Sequence, residues 1–243
     1  MKSLTILLFA SLLSFATFSA EVEKFRVNSE QSFADLENNN ITYQGNVRYS
    51  HGSLLVNADK LVRVQNDKQV TVSGSPVEVT YVDPKGEQTK IFASEIRYWE
   101  DSGEILATGN SNDAIRINQT SKSDRLKLTG RQLKANRKTA SGFSFTLTGS
   151  PTRFELQRPG QPLIEAKAGS LSSNGKGRQT LLNGNVQLRQ GDSLMAAASM
   201  LYDGETELIS AQQSADGSQR VETEFFWDEN DKPQDKKEEQ ENP

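Results

Sequence analysis

The chain has 243 residues, no cysteine and a formal net charge of -4, and its mean hydropathy is -0.64. The lack of cysteine excludes disulfide frameworks, thiolate metal sites, cysteine nucleophiles and lipid attachment to an amino-terminal cysteine. The acidic balance, without a basic stripe interleaved with aromatic residues, argues against nucleic acid as a ligand. A hydrophobic fraction of 34% is low for a compact core and favours an extended sheet.

Residues 1–20 have the layout of a secretory signal peptide. A basic start at Lys2 precedes an apolar run from Leu4 to Phe18, and Ala20 stands before the charged Glu21. The run is shorter than the about 20 apolar residues that a membrane-spanning helix needs. We therefore expect a signal peptide that is removed and a mature protein outside the cytoplasm.

Two short markers alternate along the body of the chain, which is the signature of an internal repeat. The first is a glycine followed by Asn or Ser-Pro, at Gly45-Asn46, Gly74-Ser75-Pro76, Gly109-Asn110, Gly149-Ser150-Pro151 and Gly184-Asn185. The second is a small residue, a polar one and an apolar stretch, beginning at Ala58, Ala93, Ser123, Ala168 and Ala198. We interpret the glycine markers as hairpin turns, with the prolines at strand starts or edges.

Apolar and polar residues alternate with period two between the markers, as in strands with one face on a core. Phe143, Phe145 and Leu147, for example, stand opposite Ser144 and Thr146. The sequence predicts an all-β fold, a meander of about fourteen to sixteen antiparallel strands folded into a twisted two-walled jellyroll. This domain spans residues 21–227, and an acidic tail over residues 228–243 is predicted to be disordered.

No residue pattern indicates catalytic chemistry. His51 is the only histidine and is predicted to be a solvated residue at a hairpin tip, without the companions that a metal site or a general base needs. Asp59, Glu95 and Asp124 recur at equivalent repeat positions, which favours a shared structural role such as fixing a turn. We expect no enzyme activity, no metal and no cofactor.

A local basic cluster has two open interpretations. It is either a solvated strand face or a contact for an anionic headgroup or an acidic partner. Its members are Lys122, Arg125, Lys127, Arg131, Lys134, Arg137 and Lys138.

The ordered markers resemble a known family. The segment from Ile41 to Asn110 carries Tyr43-Gln44-Gly45-Asn46-Val47, Ala58-Asp59-Lys60-Leu61, Gly74-Ser75-Pro76 and Ala93-Ser94-Glu95-Ile96-Arg97-Tyr98 in order. It resembles the LptA/OstA-like family of periplasmic lipopolysaccharide transport proteins, and the order returns more loosely as far as Tyr202. The region from Arg131 to Arg178 is expanded relative to the compact members of the family.

The resemblance implies a jellyroll whose interior holds the acyl chains of lipopolysaccharide. It also implies end-to-end stacking through edge strands with other copies, with an LptC-like protein of the inner membrane and with an LptD-like translocon of the outer membrane. The alternative function is a periplasmic β-scaffold of the same pathway that binds protein partners and not lipid.

Candidate residues for contact with lipid are the apolar side chains of the inward row. For each of them plain core packing is the competing interpretation, and the two differ in whether the interior is filled or open. The candidates are Ile41, Tyr43, Val47, Leu54, Val56, Val72, Val79, Ile96, Tyr98, Ile105, Ile117, Phe143, Phe145 and Phe154.

Overall fold

The computed structural model describes residues 25–84, 86–110, 114–121, 124–139, 142–174, 179–203, 206 and 208–224. The predicted signal peptide and acidic tail lie outside these residues. Sixteen strands are present: β1 (Phe25–Asn28), β2 (Gln31–Asp35), β3 (Asn40–His51), β4 (Leu54–Val64), β5 (Gln69–Val82), β6 (Gln88–Trp99), β7 (Glu104–Thr108), β8 (Ile115–Thr120), β9 (Arg125–Gly130), β10 (Gln132–Thr139), β11 (Gly142–Gln157), β12 (Ile164–Ser173), β13 (Gln179–Gln190), β14 (Ser193–Asp203), β15 (Ile209–Gln212) and β16 (Glu222–Glu224).

All sixteen strands belong to one antiparallel sheet. Its main path runs β1-β3-β4-β5-β6-β7-β10-β11-β12-β13-β14-β15, while β2 pairs with β3, β8 with β6 and β9, β9 with β11, and β16 with β14. The described residues form no helix that could span a membrane. The predicted all-β fold, an antiparallel meander, is confirmed.

The long strands change register at one common level, which we call the crease. The register shifts lie between Gln44 and Val47, Asn57 and Lys60, Ser73 and Val77, Thr148 and Thr152, Lys167 and Ser170, and Asn183 and Val186. Gly109 and Asn110, which follow β7, and Arg131, between β9 and β10, lie outside the strands at the same level. Extra residues at such a shift bend a strand and increase its twist.

The prediction that the glycine markers are hairpin turns is wrong for all five. Gly109 follows β7, and the strands β7 and β8 on either side of it both pair with β6 and not with each other. Gly45, Gly74, Gly149 and Gly184 lie inside strands, at the crease. At Gly45-Asn46 and Gly184-Asn185 both residues have positive φ, and such a pair serves a tight turn or a β-bulge equally well, so this marker alone does not distinguish them. At Gly184, φ is 85°, and the strand continues on both sides.

The two proline markers also differ from the prediction of strand starts or edges. Pro76 and Pro151 lie within β5 and β11, beside the register shifts. A missing N–H is harmless there because the ladder is already interrupted.

Side chains tie together backbone groups that the crease leaves out of the ladder. The Asp59 carboxylate accepts a hydrogen bond from the backbone N–H of Ser75 at 3.1 Å. On the far side of the sheet the buried Thr152 hydroxyl donates to the carbonyl oxygen of Ala168 at 2.7 Å. In these two places a small-polar marker lies on the strand opposite a glycine marker and supplies one partner of the hydrogen bond, the Asp59 side chain in the first and the Ala168 backbone in the second.

Asp124 does not share this position. It lies in the hairpin between β8 and β9, and its carboxylate is 3.4 Å from the guanidinium of Arg158. Glu95 lies one residue beyond the crease and pairs with Arg97 of the same strand at 2.7 Å. The equivalence predicted for the three acidic residues is thus wrong, and Asp59 alone of the three fastens the crease.

The crease divides the sheet into two walls that face one interior. The first wall contains β2, β7, β10, β15 and residues 40–44, 60–64, 69–73, 95–99, 142–148, 170–173, 179–183 and 199–203; the second contains β1, β8, β9, β16 and residues 47–51, 54–58, 77–82, 88–93, 152–157, 164–168, 186–190 and 193–197. Phe154 of the second wall meets Tyr202 of the first, with ring centroids 5.9 Å apart. This contact shows that the walls share a core, as the jellyroll prediction requires.

The interior is filled at one end and open at the other. At the closed end, lined by β8, β9 and β11–β14, large side chains of both walls are almost fully buried, such as Leu128 at 0% and Leu156 at 1% exposure. At the open end, lined by β1 and β3–β7, a second and smaller cluster of buried residues lies close to the crease, namely Val47, Ala58, Leu61, Val72 and Val77. Farther from the crease, apolar side chains such as Leu54 stay half-buried.

Thr152→Val tests the crease because it keeps the shape of the side chain and removes its hydroxyl. The carbonyl of Ala168 would lose its hydrogen bond in a buried place, so we expect the free energy of unfolding to fall by about 1–3 kcal/mol in urea denaturation. Thr146→Val, at an exposed position of the same strand, should change it by less than about 0.5 kcal/mol. Equal effects of the two changes would contradict a structural role for the crease bond.

A pair of leucine truncations tests the difference between the two ends. Leu128→Ala leaves a cavity in a packed core and should lower the free energy of unfolding by about 2–5 kcal/mol. Leu54→Ala removes a half-buried side chain that borders empty space, so a loss of about 1 kcal/mol is expected. Comparable losses in chemical denaturation would mean that the open end is packed as tightly as the closed end.

Candidate functional site

A cavity of about 560 Å³ lies between the two walls at the open end. Both walls contribute to it: Tyr43, Val72 and Ile96 come from the first, while Tyr49 and Val56 come from the second. The full lining is Phe25, Val27, Ile41, Tyr43, Tyr49, His51, Leu54, Val56, Leu61, Arg63, Val70, Val72, Val79, Ile91, Ile96, Tyr98, Glu100, Ile105, Ala107, Leu133, Ala135 and Arg137. The volume lies in the range of roughly 300–1,000 Å³ that is typical of small-molecule sites.

Side-chain size explains why this end is open. Five of the lining residues are valines, at positions 27, 56, 70, 72 and 79. Valine is short and β-branched, which suits a strand but does not reach far into the space between two walls. The closed end instead carries Leu147, Phe154, Met200 and Tyr202, whose larger side chains meet across the interior.

Most of the predicted lipid-contact residues line the cavity, in positions set by period two along their strands. These are Ile41, Tyr43, Leu54, Val56, Val72, Val79, Ile96, Tyr98 and Ile105. Their contact with lipid stays a prediction.

Four predicted residues pack elsewhere in the interior. Val47, at 2% exposure, belongs to the cluster along the crease. Ile117, Phe145 and Phe154, at 2–3% exposure, belong to the large core cluster. In this structure they have the core-packing role that was the competing interpretation. Phe143 lies on β11, and its side chain falls outside the described residues.

The cavity also has polar lining residues that the sequence analysis did not assign to it. His51, Arg63, Glu100 and Arg137 stand on the inward side, near the strand ends that lie away from the crease. His51 continues the alternation of Val47 and Tyr49, and this signal would have placed it inward. The prediction of a merely solvated turn residue was wrong for His51, since its side chain lines the cavity.

The charged residues form a rim beside two tyrosines. A guanidinium nitrogen of Arg63 lies 3.2 Å from the carboxylate of Glu100, and the guanidinium of Arg137 lies 4.9 Å from the ring centre of Tyr98. Burial raises the pKa of the Tyr49 and Tyr98 hydroxyls, while Arg63 opposes the shift at Tyr49 and Arg137 opposes it at Tyr98. Both hydroxyls are therefore neutral donors at neutral pH, and Glu100 is the anionic group of the rim.

A different polar group joins the walls at the closed end. Arg158 donates a hydrogen bond to the Tyr202 hydroxyl and lies beside the carboxylate of Asp124. The side chains of the ion pair are only 9% and 10% exposed. The hydrogen bond to Tyr202 crosses between the walls, while the ion pair lies within the second wall, where loss of one buried partner would destabilise the fold.

The basic cluster of the sequence is split by the fold. Lys127 points outward and pairs with Glu155 at 2.9 Å, whereas Arg137 lines the cavity. Lys122 lies outside the described residues. The interpretation as a solvated face fits Lys127 on β9, and contact of Arg137 with an anionic headgroup or an acidic partner stays a prediction. Across the described residues, no group of three or more His, Asp or Glu side chains is placed to hold a metal ion.

Comparison with known proteins identifies the family. Residues 26–147, half of the chain, match the family model described as LptA/(LptD N-terminal domain) LPS transport protein. Lipopolysaccharide export system protein LptA of Escherichia coli (strain K12) and that of Shigella flexneri are each 27% identical over 110 residues, which are 43% of this chain and 60% of the relative. The match thus spans about three-fifths of the length of these relatives.

A solved structure of LptH from Pseudomonas aeruginosa, described as the LptA homologous periplasmic component of the conserved lipopolysaccharide transport device, is 18% identical with a TM-score of 0.47. It covers 57% of this chain and 94% of its own. The matched segment 26–147 contains every lining residue of the cavity except Phe25. By the extent of that match, the chain belongs to the LptA/LptD N-terminal domain family of lipopolysaccharide transport proteins.

Proposed function

We propose that this protein binds lipopolysaccharide, with acyl chains in the open end of the interior, and carries it across the periplasm from the inner to the outer membrane. The observation that supports this most is an apolar cavity between two walls, placed within the segment that matches a lipopolysaccharide transport family. The protein acts as one part of a bridge of related domains, without chemical change to the lipid.

The cavity suits acyl chains for a simple energetic reason. Burying a methylene group gains about 0.8 kcal/mol, and the apolar lining offers few competing polar groups. A cavity of about 560 Å³ takes part of a multi-chain lipid and leaves its head at the rim. The half-buried tyrosines and valines of the lining lose their remaining contact with water when a chain enters, which adds to the gain.

The two ends of the sheet support the assembly part of the proposal. In the described part of the chain, β1 and β2 pair only with β3, and β15 and β16 pair only with β14. Large apolar side chains are exposed at both ends, including Phe25 at 58%, Phe33 at 55% and Leu208 at 64%. Unpaired edges accept a further strand, so copies can add end to end.

We propose the same mode of strand addition for an LptC-like partner at the inner membrane and an LptD-like translocon at the outer membrane. Periplasmic location follows from the signal-like layout of residues 1–20 and from the family. The second candidate, a periplasmic scaffold that binds proteins and not lipid, is favoured by the filled closed end and the exposed edges. Copurified lipopolysaccharide distinguishes the two.

Site-specific photocrosslinking tests lipid binding. Photoreactive residues at Tyr43, Val56 and Tyr98 should each crosslink to lipopolysaccharide, because all three line the cavity. The same photoreactive residue in place of Arg48, an exposed side chain between Tyr43 and Val56 in the sequence, should give no crosslink. Lipid adducts absent from all three positions, or equally strong at Arg48, would exclude binding in the cavity.

Sedimentation velocity tests the assembly. The average mass of the mature protein should rise with concentration, and Phe33→Lys should raise the dissociation constant about tenfold, which corresponds to about 1.4 kcal/mol. A lysine on an edge strand disfavours addition of another strand, whereas Thr146→Lys places the same charge on an exposed position within the sheet and should have little effect. A monomer at every concentration would contradict end-to-end stacking.

A further inference from the structure

We propose that Arg63 and Arg137 form a binding site for the phosphate groups of the amphiphile whose acyl chains occupy the cavity. This inference rests on the proposed function and adds to it the part of the ligand that the rim recognises. The class of ligand is a phosphorylated lipid, with the phosphate outside the apolar space and the chains within it.

The fold brings the two guanidinium groups together from distant strands. Arg63 lies on β4 and Arg137 on β10, with β5, β6 and β7 between them. Neighbouring strands are about 4.8 Å apart, so the two backbones are separated by roughly 19 Å. Each side chain, however, reaches two strands towards the end of β6, where Arg63 meets Glu100 and Arg137 covers Tyr98. The two cations therefore converge above the same strand end.

The charge around this point is positive overall. Arg63 and Arg137 face the single carboxylate of Glu100 in the cavity lining. The adjoining turn adds Lys138, whose ammonium donates to the backbone oxygens of Glu100 and Asp101 at 2.7 and 2.8 Å. Guanidinium groups suit phosphate because their planar N–H donors match two oxygens at once.

Arg63 has an unmet donor that an oxyanion would satisfy. Its Nε atom is buried and makes no hydrogen bond within the described structure, although its terminal nitrogen pairs with Glu100. A buried donor without a partner costs free energy of folding. When the Arg63 side chain turns from Glu100 towards a phosphate, this group becomes accessible, and a phosphate oxygen would accept from it and remove that cost.

Glu100 is the anion that faces Arg63 within this site. It holds Arg63 in place at 3.2 Å and must share or give up that contact when a phosphate arrives. This exchange lowers the net gain of phosphate binding, since one ion pair replaces another. Glu100 therefore keeps the affinity for the phosphorylated lipid low enough for the lipid to dissociate.

Equilibrium binding of two lipids to the mature full-length protein tests the inference. The probes are bisphosphorylated lipid A and its fully dephosphorylated analogue, with inorganic phosphate as a separate ligand and competitor. The double change Arg63→Gln and Arg137→Gln should weaken binding of the phosphorylated lipid about tenfold and leave the dephosphorylated lipid unaffected. Glu100→Gln should strengthen binding of the phosphorylated lipid several-fold. Arg48→Gln, an exposed arginine on β3, is the matched control and should change neither affinity.

The outcomes separate this inference from the proposed function. Unchanged binding of both lipids by the double variant would overturn the phosphate site and leave the apolar cavity in place. Failure of the wild-type protein to bind either lipid would instead overturn the proposed function. Arginine-dependent binding of inorganic phosphate without any lipid preference would assign the site to free phosphate and overturn the headgroup assignment.

A second pair of variants keeps the test valid if the double variant does not fold. Arg63→Lys and Arg137→Lys keep the charge and lose the planar pair of donors. Circular dichroism checks their fold, and each should weaken binding of phosphorylated lipid A by a smaller factor than the loss of charge does. Full affinity in both lysine variants, with lower affinity only at high salt, would contradict specific phosphate contacts.

Discussion

The register shift at the crease is the constraint on which the rest of the structure depends. Because each long strand bends there, its two halves belong to different walls, and the apolar sides of both walls face one interior. The shift leaves backbone groups outside the ladder, and Asp59 and Thr152 bind them. Without this bend, one sheet of sixteen strands would expose its whole apolar side to water.

Side-chain size then decides what the shared interior becomes. Leucine, phenylalanine and methionine fill the closed end, where Phe154 meets Tyr202 and Arg158 joins the walls. Valines leave the open end unfilled, and the charged rim of Arg63, Glu100 and Arg137 lies beside it. The same arrangement of two walls thus provides a stable core at one end and an amphipathic site at the other. The two ends differ in the volume and polarity of the side chains that face the interior.

The sequence was enough to predict most of the side chains that face the interior. It was not enough to predict which of them line the cavity and which pack in the core. Period two places Tyr43 and Tyr98 on one face without knowledge of the fold, and both line the cavity. Whether Phe145 meets empty space or another side chain depends on the opposite wall, which no local pattern reveals. Gly45 was misassigned because bulges and turns use the same backbone conformation. Arg137 was grouped in a basic cluster whose role was left open, and its inward position was not predicted, since a cation on an inward row breaks the alternation that identified the strands.

In the carrier that we propose, which would be emptied as often as it is filled, the buried core of the closed end has a consequence. Its leucines and aromatic rings are already shielded from water, so this half of the molecule gains nothing when cargo arrives and loses nothing when it departs. The chain can therefore hold its shape through each cycle of loading and unloading. Ligand linkage is confined to the valine-lined half, which lets evolution retune cargo affinity there while the other half continues to secure the fold.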